Sequence, residues 1–147
     1  MLIGTYNAIL SLKHRSAIPA AFRTFLGKKM IIAKWYEDCL VITSASSWES
    51  ILDKIKGKDA MITASIRDTD RFLLASAYEL TTDEQGRVVF PHLLVEYAKL
   101  SNNIVFLGLG DRVEVWDQDK WIAKDREISK NSSEIMEKLT ESKKYNA

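Results

Sequence analysis

The strongest candidate for a chemical role in this sequence is the basic tripeptide Lys13-His14-Arg15. It lies in a polar stretch between two strand-like segments, which predicts a strand-connecting turn. Lysine and arginine at the tip of a turn can reach phosphate oxygens, and arginine can also form a forked pair of hydrogen bonds with guanine in the major groove of DNA. The alternatives are a solvated loop, or an Arg15 held inward by a carbonyl or carboxylate group.

The charge distribution favours an anion-binding surface near the start of the chain. The net charge is only +1, but residues 1–36 contain six basic residues and no acidic residue. An anion-binding surface should therefore be built mainly from this stretch. The six basic residues are Lys13, Arg15, Arg23, Lys28, Lys29 and Lys34.

The sequence gives little support for metal binding or enzyme catalysis. His14 and His92 are the only histidines, and no acidic or cysteine cluster surrounds them at metal-ligand spacing. The sequence has no nucleophile elbow, P-loop or dinucleotide-binding glycine motif. The single cysteine, Cys39, lies in an apolar strand-like run and is expected in the core. We therefore expect no enzyme activity, no cofactor, no metal and no small-molecule substrate.

The four tryptophans could form a base-stacking platform or pack inside the protein. Trp48, Trp116 and Trp121 occupy positions that are expected to face the core. Trp35 is the exception, because it lies in the polar turn Lys34-Trp35-Tyr36-Glu37-Asp38, where an exposed aromatic pair could belong to an oligomer interface.

The chain is an internal duplication, which is the feature that organises everything else. Three residues recur at a separation of 72 positions: Tyr6 and Tyr78, Arg15 and Arg87, and Pro19 and Pro91. After a slip of two positions, residues 30–32 match 104–106 and residues 39–41 match 113–115. Trp48 and Trp121 close the two copies.

Each copy predicts the same order of elements. A strand with alternating faces leads into a polar turn, a short strand and a proline that suits the start of a helix. In the first copy, Phe22, Phe25 and Leu26 form an apolar stripe on that helix, and Gly27 ends it. Two strands follow, predicted at 30–33 and 39–43 and, in the second copy, at 103–109 and 112–116.

A longer helix is predicted to close the first copy. Ser46 and Glu49 have the spacing of a capping box, so the helix is expected to begin at Ser46. We divide the chain into a first repeat (1–57), a linker helix (58–75, with helical pattern over 60–75), a second repeat (76–124) and a polar C-terminal helix or tail (125–147). No apolar run approaches the roughly 20 residues that span a bilayer.

The motifs of the two copies resemble the MraZ family of bacterial transcriptional regulators, which are built from two SpoVT/AbrB-like repeats. The resemblance covers about residues 1–125 and rests on Gly4-x-Tyr6, Lys13-x-Arg15, Ile18-Pro19-Ala20-x-Phe22-Arg23 and Asp83-x-x-Gly86-Arg87-Val88-Val89-Phe90-Pro91. It implies an α+β, β-rich fold: an AbrB-like swapped-hairpin β-barrel made from two pseudo-symmetric repeats with short helices.

The resemblance also assigns the residues of the two turns. The family's D-x-x-x-R signature falls on Ser11 to Arg15 and on Asp83 to Arg87, so the first copy lacks the acid and carries His14 where glycine is usual. DNA contacts are expected from Lys13, His14, Arg15, Arg23 and Arg87, and turn-forming roles from Ser11, Asp83, Gly86, Pro19 and Pro91. For Arg87, bracing its turn through Asp83 and contacting DNA are equally open.

The partners follow from this resemblance. Double-stranded DNA, bound at repeated promoter sites near cell-division and cell-wall genes, and a ring-like homo-oligomer larger than a dimer, such as an octamer, are expected, in the cytoplasm and nucleoid and without a membrane. The alternative is an oligomeric scaffold or protein-interaction module that does not bind DNA, which the near-neutral charge and the acidic second half would suit.

Overall fold

The computed structural model describes residues 1–57 and 61–146. Within these residues the chain is an α+β fold of mostly antiparallel strands and short helices. The strands are β1 (Leu2–Ile9), β2 (Arg15–Ala17), β3 (Lys29–Lys34), β4 (Leu40–Ser44), β5 (Tyr78–Thr81), β6 (Arg87–Val89), β7 (Asn103–Gly110) and β8 (Val113–Asp117). The helices are α1 (Ala20–Leu26), α2 (Ala45–Lys56), α3 (Ala64–Leu73), α4 (His92–Tyr97), α5 (Gln118–Lys130) and α6 (Ser132–Asn146).

The two copies exchange strands within one six-stranded sheet. The strand order is β1-β7-β8-β4-β3-β5, so the first strand of each copy pairs with the third strand of the other copy. The pairing register obeys the repeat: Tyr6 lies opposite Phe106, and its counterpart Tyr78 lies opposite Ile32. A pseudo-two-fold axis therefore relates the two copies, and neither copy forms its sheet alone.

The short strands β2 and β6 form a separate antiparallel ribbon. The described strands do not close into a barrel, because β2 and β6 pair with each other and leave β1 and β5 as the two edges of the larger sheet. Each ribbon strand has three residues, too few to join those edges by a continuous ladder.

The core has two layers, one on each face of the sheet. One layer contains Phe22 of α1 and Val88 of the ribbon with Phe90 and Phe106, and the other contains Trp48 and Ile51 of α2 with Trp116. Alternate residues of β4 reach opposite layers, which explains its continuous apolar run: Leu40 and Ile42 enter one layer, and Val41 enters the other. Cys39 is fully buried in the second layer, as predicted, and burial raises the pKa of its thiol.

Two local predictions from the sequence are wrong. Helix α2 begins after Ser44, whose side chain accepts the backbone N–H of Ser47, so Ser46 and Glu49 do not form a capping box. Two serines near the end of β4 offered the same capping chemistry, and the earlier one is used because the strand ends there. Trp35 is buried rather than exposed, since the turn folds its ring into the second core layer and leaves Tyr36 half-exposed.

The other helices follow the predicted pattern with shifted limits. Helix α1 ends at Gly27, as predicted, and buries Phe22 and Leu26, while Phe25 stays exposed. The linker helix is α3, which is shorter than predicted, and residues 58–60 lie outside the described residues. The chain is helical through α5 and α6 apart from a turn at Asn131, so the predicted boundary at residue 124 falls within α5. No helix in the described part is long and apolar enough to cross a membrane.

Candidate nucleic-acid interface

The turn between β1 and β2 is held by its own backbone and by Ser11. The N–H of Ser11 donates to the carbonyl of Arg15 at 2.9 Å, and the N–H of His14 donates to the carbonyl of Ser11 at 2.9 Å. The Ser11 hydroxyl accepts the N–H of Arg15 at 3.1 Å. The side chains of Lys13 and Arg15 are exposed, and neither forms an ion pair within the described residues. The uncharged Ser11 hydroxyl offers Arg15 no carboxylate to bind.

The turn between β5 and β6 has the same backbone. The N–H of Asp83 donates to the carbonyl of Arg87 at 2.9 Å, and the N–H of Gly86 donates to the carbonyl of Asp83 at 3.0 Å. The Asp83 carboxylate takes the place of the Ser11 hydroxyl and accepts the backbone N–H groups of Gln85 and Arg87, both at 2.9 Å.

The Asp83 carboxylate also binds the side chain of its own arginine. Arg87 Nε lies 2.9 Å from Asp83 Oδ2, so the bracing contact considered for Arg87 is present. The backbone hydrogen bond from Arg87, together with its side chain and the N–H of Gln85, holds the pKa of Asp83 below its usual value. The carboxylate is therefore charged at neutral pH, and part of the hydrogen-bonding capacity of Arg87 is already in use.

The antiparallel ribbon places the two turns at its opposite ends, where the pseudo-two-fold axis relates them. Ser16 and Val88, which are equivalent positions, lie opposite each other and are both buried. The N–H of Phe90 donates to the carbonyl of His14 at 2.7 Å, and the equivalent bond runs from the N–H of Ile18 to the carbonyl of Gly86 at 2.9 Å. Each turn is thus anchored on the strand of the other copy.

Both arginines face the same outer surface of this ribbon. Arg15 and Arg87 line a shallow depression of about 470 Å³ together with Lys13, Leu12 and neighbouring residues of the ribbon. Alternation along β2 and β6 turns Ser16 and Val88 inward, which leaves the arginines on the solvent side. The fold therefore gathers three cations from two distant parts of the sequence.

One position in each turn has a left-handed backbone. His14 has φ +60° and its counterpart Gly86 has φ +74°. Histidine therefore adopts in the first copy the conformation that glycine adopts more readily in the second.

Arg23 lies directly against Gly86. The Arg23 Nε donates to the carbonyl of Ile18 at 2.8 Å, and a Cβ on residue 86 would overlap the Arg23 guanidinium. Arg23 thus lies against the turn of the second copy, and it connects α1 to that turn.

His14 has a stacking partner that the sequence pattern did not reveal. The imidazole rings of His14 and His92 stack with centroids 5.5 Å apart and an angle of 10° between them. His92 is the first residue of α4, is largely exposed, and its Nε2 lies 3.0 Å from Glu96 Oε1. In the part of the chain that the structure describes, no group of three or more histidine, cysteine or acidic side chains could hold a metal ion.

The two prolines set the direction in which the chain leaves the ribbon. Pro19 immediately precedes α1 and Pro91 immediately precedes α4, and their carbonyls accept the N–H groups of Phe22 and Leu94 at 2.9 and 3.0 Å. The fixed φ of proline favours this entry into a helix, and Phe22 and Leu94 are buried as a result.

Comparison with known proteins identifies the family. The model of the family described as "MraZ protein, putative antitoxin-like" matches residues 73–143. A protein of Clostridium acetobutylicum named "Transcriptional regulator MraZ" is 36% identical over 141 residues, which cover 96% of this chain and 98% of that protein. The chain belongs to the MraZ family.

Further relatives show the same relation. The "Transcriptional regulator MraZ" of Carboxydothermus hydrogenoformans is 40% identical over 121 residues, 82% of this chain and 84% of that protein. The protein of that name in Leuconostoc citreum is 34% identical over 145 residues, 96% of this chain and 98% of that protein. The resemblance to MraZ that the sequence motifs indicated is thus confirmed along nearly the whole chain.

Proposed function

We propose that this MraZ-family chain is a DNA-binding transcriptional regulator and that it contacts double-stranded DNA through the turn between β1 and β2. The observation that carries the proposal is the geometry of Arg15 and Lys13, which are exposed cations on a turn held by three internal hydrogen bonds. A rigid turn presents these charges without an ordering cost at the moment of binding. The names of the relatives, transcriptional regulators, support the same function.

The remaining residues of the ribbon act around this contact. Lys13 and Arg15 bind phosphate or base edges, and His14 lies between them on the left-handed step of the turn. Arg87 shares its guanidinium between Asp83 and DNA, so its contribution to affinity is smaller. Arg23 supports the surface by holding the turn of the second copy.

A single chain offers few cations, so tight DNA binding needs several copies of the turn in one assembly. We propose a closed homo-oligomer larger than a dimer, in which the swapped-hairpin repeats present a ring of equivalent turns, such as an octamer. Linked weak contacts gain strongly through effective concentration, which explains how a chain of net charge +1 can bind DNA. The exposed Ile3 on the edge strand β1 gives such an assembly apolar surface to cover. Sedimentation at micromolar concentration should give a mass several times 16.8 kDa, and a monomer would contradict this assembly.

The proposed function is tested by titrating a random duplex at two salt concentrations. A phosphate-binding protein weakens steeply as salt rises, whereas a scaffold that does not bind DNA shows no shift at either concentration. Arg15→Ala should abolish most of the binding, and Arg126→Ala, which removes an equal charge from the exposed side of α5, should not. Equal losses in the two variants would mean that only net charge matters and that the turn is not the contact. Selection from a random pool then defines the bound sequence.

A further inference from the structure

Leu12 is exposed in a place where folding gives it nothing to pack against. The residue is 92% exposed, the highest value among the large hydrophobic residues that the structure describes. It lies in the first turn between Ser11 and Lys13, and that turn is held by the hydrogen bonds of Ser11, His14 and Arg15. A single exposed leucine is common on protein surfaces, so its significance depends on the residues that surround it.

The surroundings of Leu12 restrict what can cover it. Leu12 and Ile9 line the same depression as Lys13, Arg15 and Arg87. An apolar protein surface placed on Leu12 would also bury Lys13 and Arg15, which form no ion pair among the described residues, and this is costly. A polyanion that carries a small apolar group satisfies both parts of the surface. The major groove of DNA is such a partner, because phosphates flank it and each thymine displays a C5-methyl group there.

We propose that Leu12 packs against a thymine methyl group in the major groove and that it gives the first turn a preference for an A·T pair beside the group bound by Arg15. This inference rests on the proposed function. It makes Leu12 a specificity-determining residue, whereas Lys13 and Arg15 supply the charge.

The second turn cannot make the same contact. The position equivalent to Leu12 is Glu84, which is exposed and lies beside Asp83. A carboxylate there repels phosphate and offers no apolar surface to a methyl group. Each chain therefore reads one thymine through this contact rather than two, and the preference belongs to the first turn.

The test compares a duplex selected by the wild-type protein with the same duplex in which deoxyuridine replaces thymidine. This change removes the C5-methyl groups and leaves the base-pairing edges intact. The wild-type protein should bind the uracil duplex at least about fourfold more weakly, the size expected for one buried methyl-sized group. Leu12→Ala should bind both duplexes alike, and Leu12→Glu should bind both more weakly than Leu12→Ala.

Controls separate this inference from the proposed function. Leu74→Ala, which trims an exposed leucine at the end of α3, should keep the wild-type preference for thymine. DNA binding by the wild type without sensitivity to the methyl group overturns the role of Leu12 alone, and absence of salt-sensitive DNA binding overturns both proposals. A Leu12→Ala variant that keeps the full preference but changes its sedimentation would place Leu12 between subunits and would also overturn it.

Discussion

The two turns of this protein share one backbone and differ in what their arginines can do. Ser11 and Asp83 occupy equivalent positions, and each accepts the N–H of the arginine four residues later. Only Asp83 also binds the arginine side chain, with Nε and Oδ2 2.9 Å apart. Arg15 has no such partner among the described residues, so its guanidinium stays on the solvent side of the ribbon.

This difference shows how two equivalent turns of a duplicated chain can keep one shape and carry different side-chain chemistry. Backbone hydrogen bonds preserve the shape of both turns, and the anchoring bonds of His14 and Gly86 preserve their position on the ribbon. The side chains are then free to diverge. The first turn exposes Leu12, Lys13 and Arg15 to solvent, and in the second turn Asp83 binds Arg87.

The largest expected effect is the loss of DNA affinity in Arg15→Ala. We expect a decrease of about 10- to 100-fold, because a specific arginine contact with DNA contributes about 1–3 kcal/mol. Arg87→Ala should lose less affinity and more thermal stability, since it breaks the bond to Asp83. DNA titration and thermal melting of both variants decide the point. Equal losses of affinity with unchanged melting would mean that the two turns read DNA alike.

Substitutions that place the carboxylate in the first turn, or remove it from the second, should change which of the two arginines is held by an ion pair. Ser11→Asp should weaken DNA binding about fivefold, because a carboxylate near a phosphate costs about 1 kcal/mol in water and can also hold the Arg15 guanidinium. Asp83→Ser should strengthen binding by freeing Arg87 and should lower the melting temperature. Both effects should shrink as salt is raised, and effects that do not depend on salt would contradict an electrostatic origin.

Substitutions at the left-handed position of each turn, residues 14 and 86, allow the stability of the two turns to be compared. Gly86→Ala should lower the free energy of unfolding by about 1–2 kcal/mol, because a Cβ is disfavoured at φ +74° and would displace the Arg23 guanidinium. His14→Gly should change it by less than about 1 kcal/mol, since relief of strain is offset by greater freedom of the unfolded chain and by loss of the stack with His92. Denaturant titration measures both. A larger cost for His14→Gly would show that the imidazole stack matters more than the backbone.

The smallest expected effect is a pH dependence of stability that comes from Asp83 in the second turn. The pKa of Asp83 is lower in the folded protein than its ordinary value of 3.8, so its stabilising contribution is complete above that value and is lost as the pH falls through the folded pKa. Comparing the melting temperature of the wild type and Asp83→Asn between neutral pH and acid should show the difference narrowing on acidification. A difference that stays constant would contradict a charged role for Asp83.

Much of the fold could be predicted from repeated residues. The separation of 72 positions between Tyr6 and Tyr78 anticipates that they occupy equivalent registers, opposite Phe106 and Ile32. The stop of α1 at Gly27 and the burial of Cys39 follow from local chemistry. The sequence alone could not show whether Ser44 or Ser46 caps α2, because both satisfy the same capping preference. Only the end of β4 selects between them.

Part of the candidate site could also be predicted from the sequence. The acid-free start of the chain and the repeat point to Arg15 and Arg87 without a structure, as does the absence of an acid at Ser11. The stack of His14 on His92 was not foreseen, since these rings come together only when α4 of one copy reaches the turn of the other. The exposure of Leu12 was also not predicted. Leu12 occupies the position that Glu84 holds in the other copy, and this equivalence was a signal that could have indicated an exposed residue.

The sequence by itself determined that the chain is a duplication, where its turns lie and which charges they carry, because these depend on spacing and residue type. Only the tertiary structure decided which strands pair across the copies, that the described sheet is open, that Trp35 is buried and that Arg23 lies against Gly86. These features depend on contacts between residues that are distant along the chain. Local preferences are the same in several such arrangements, and the packing of the two core layers selects among them.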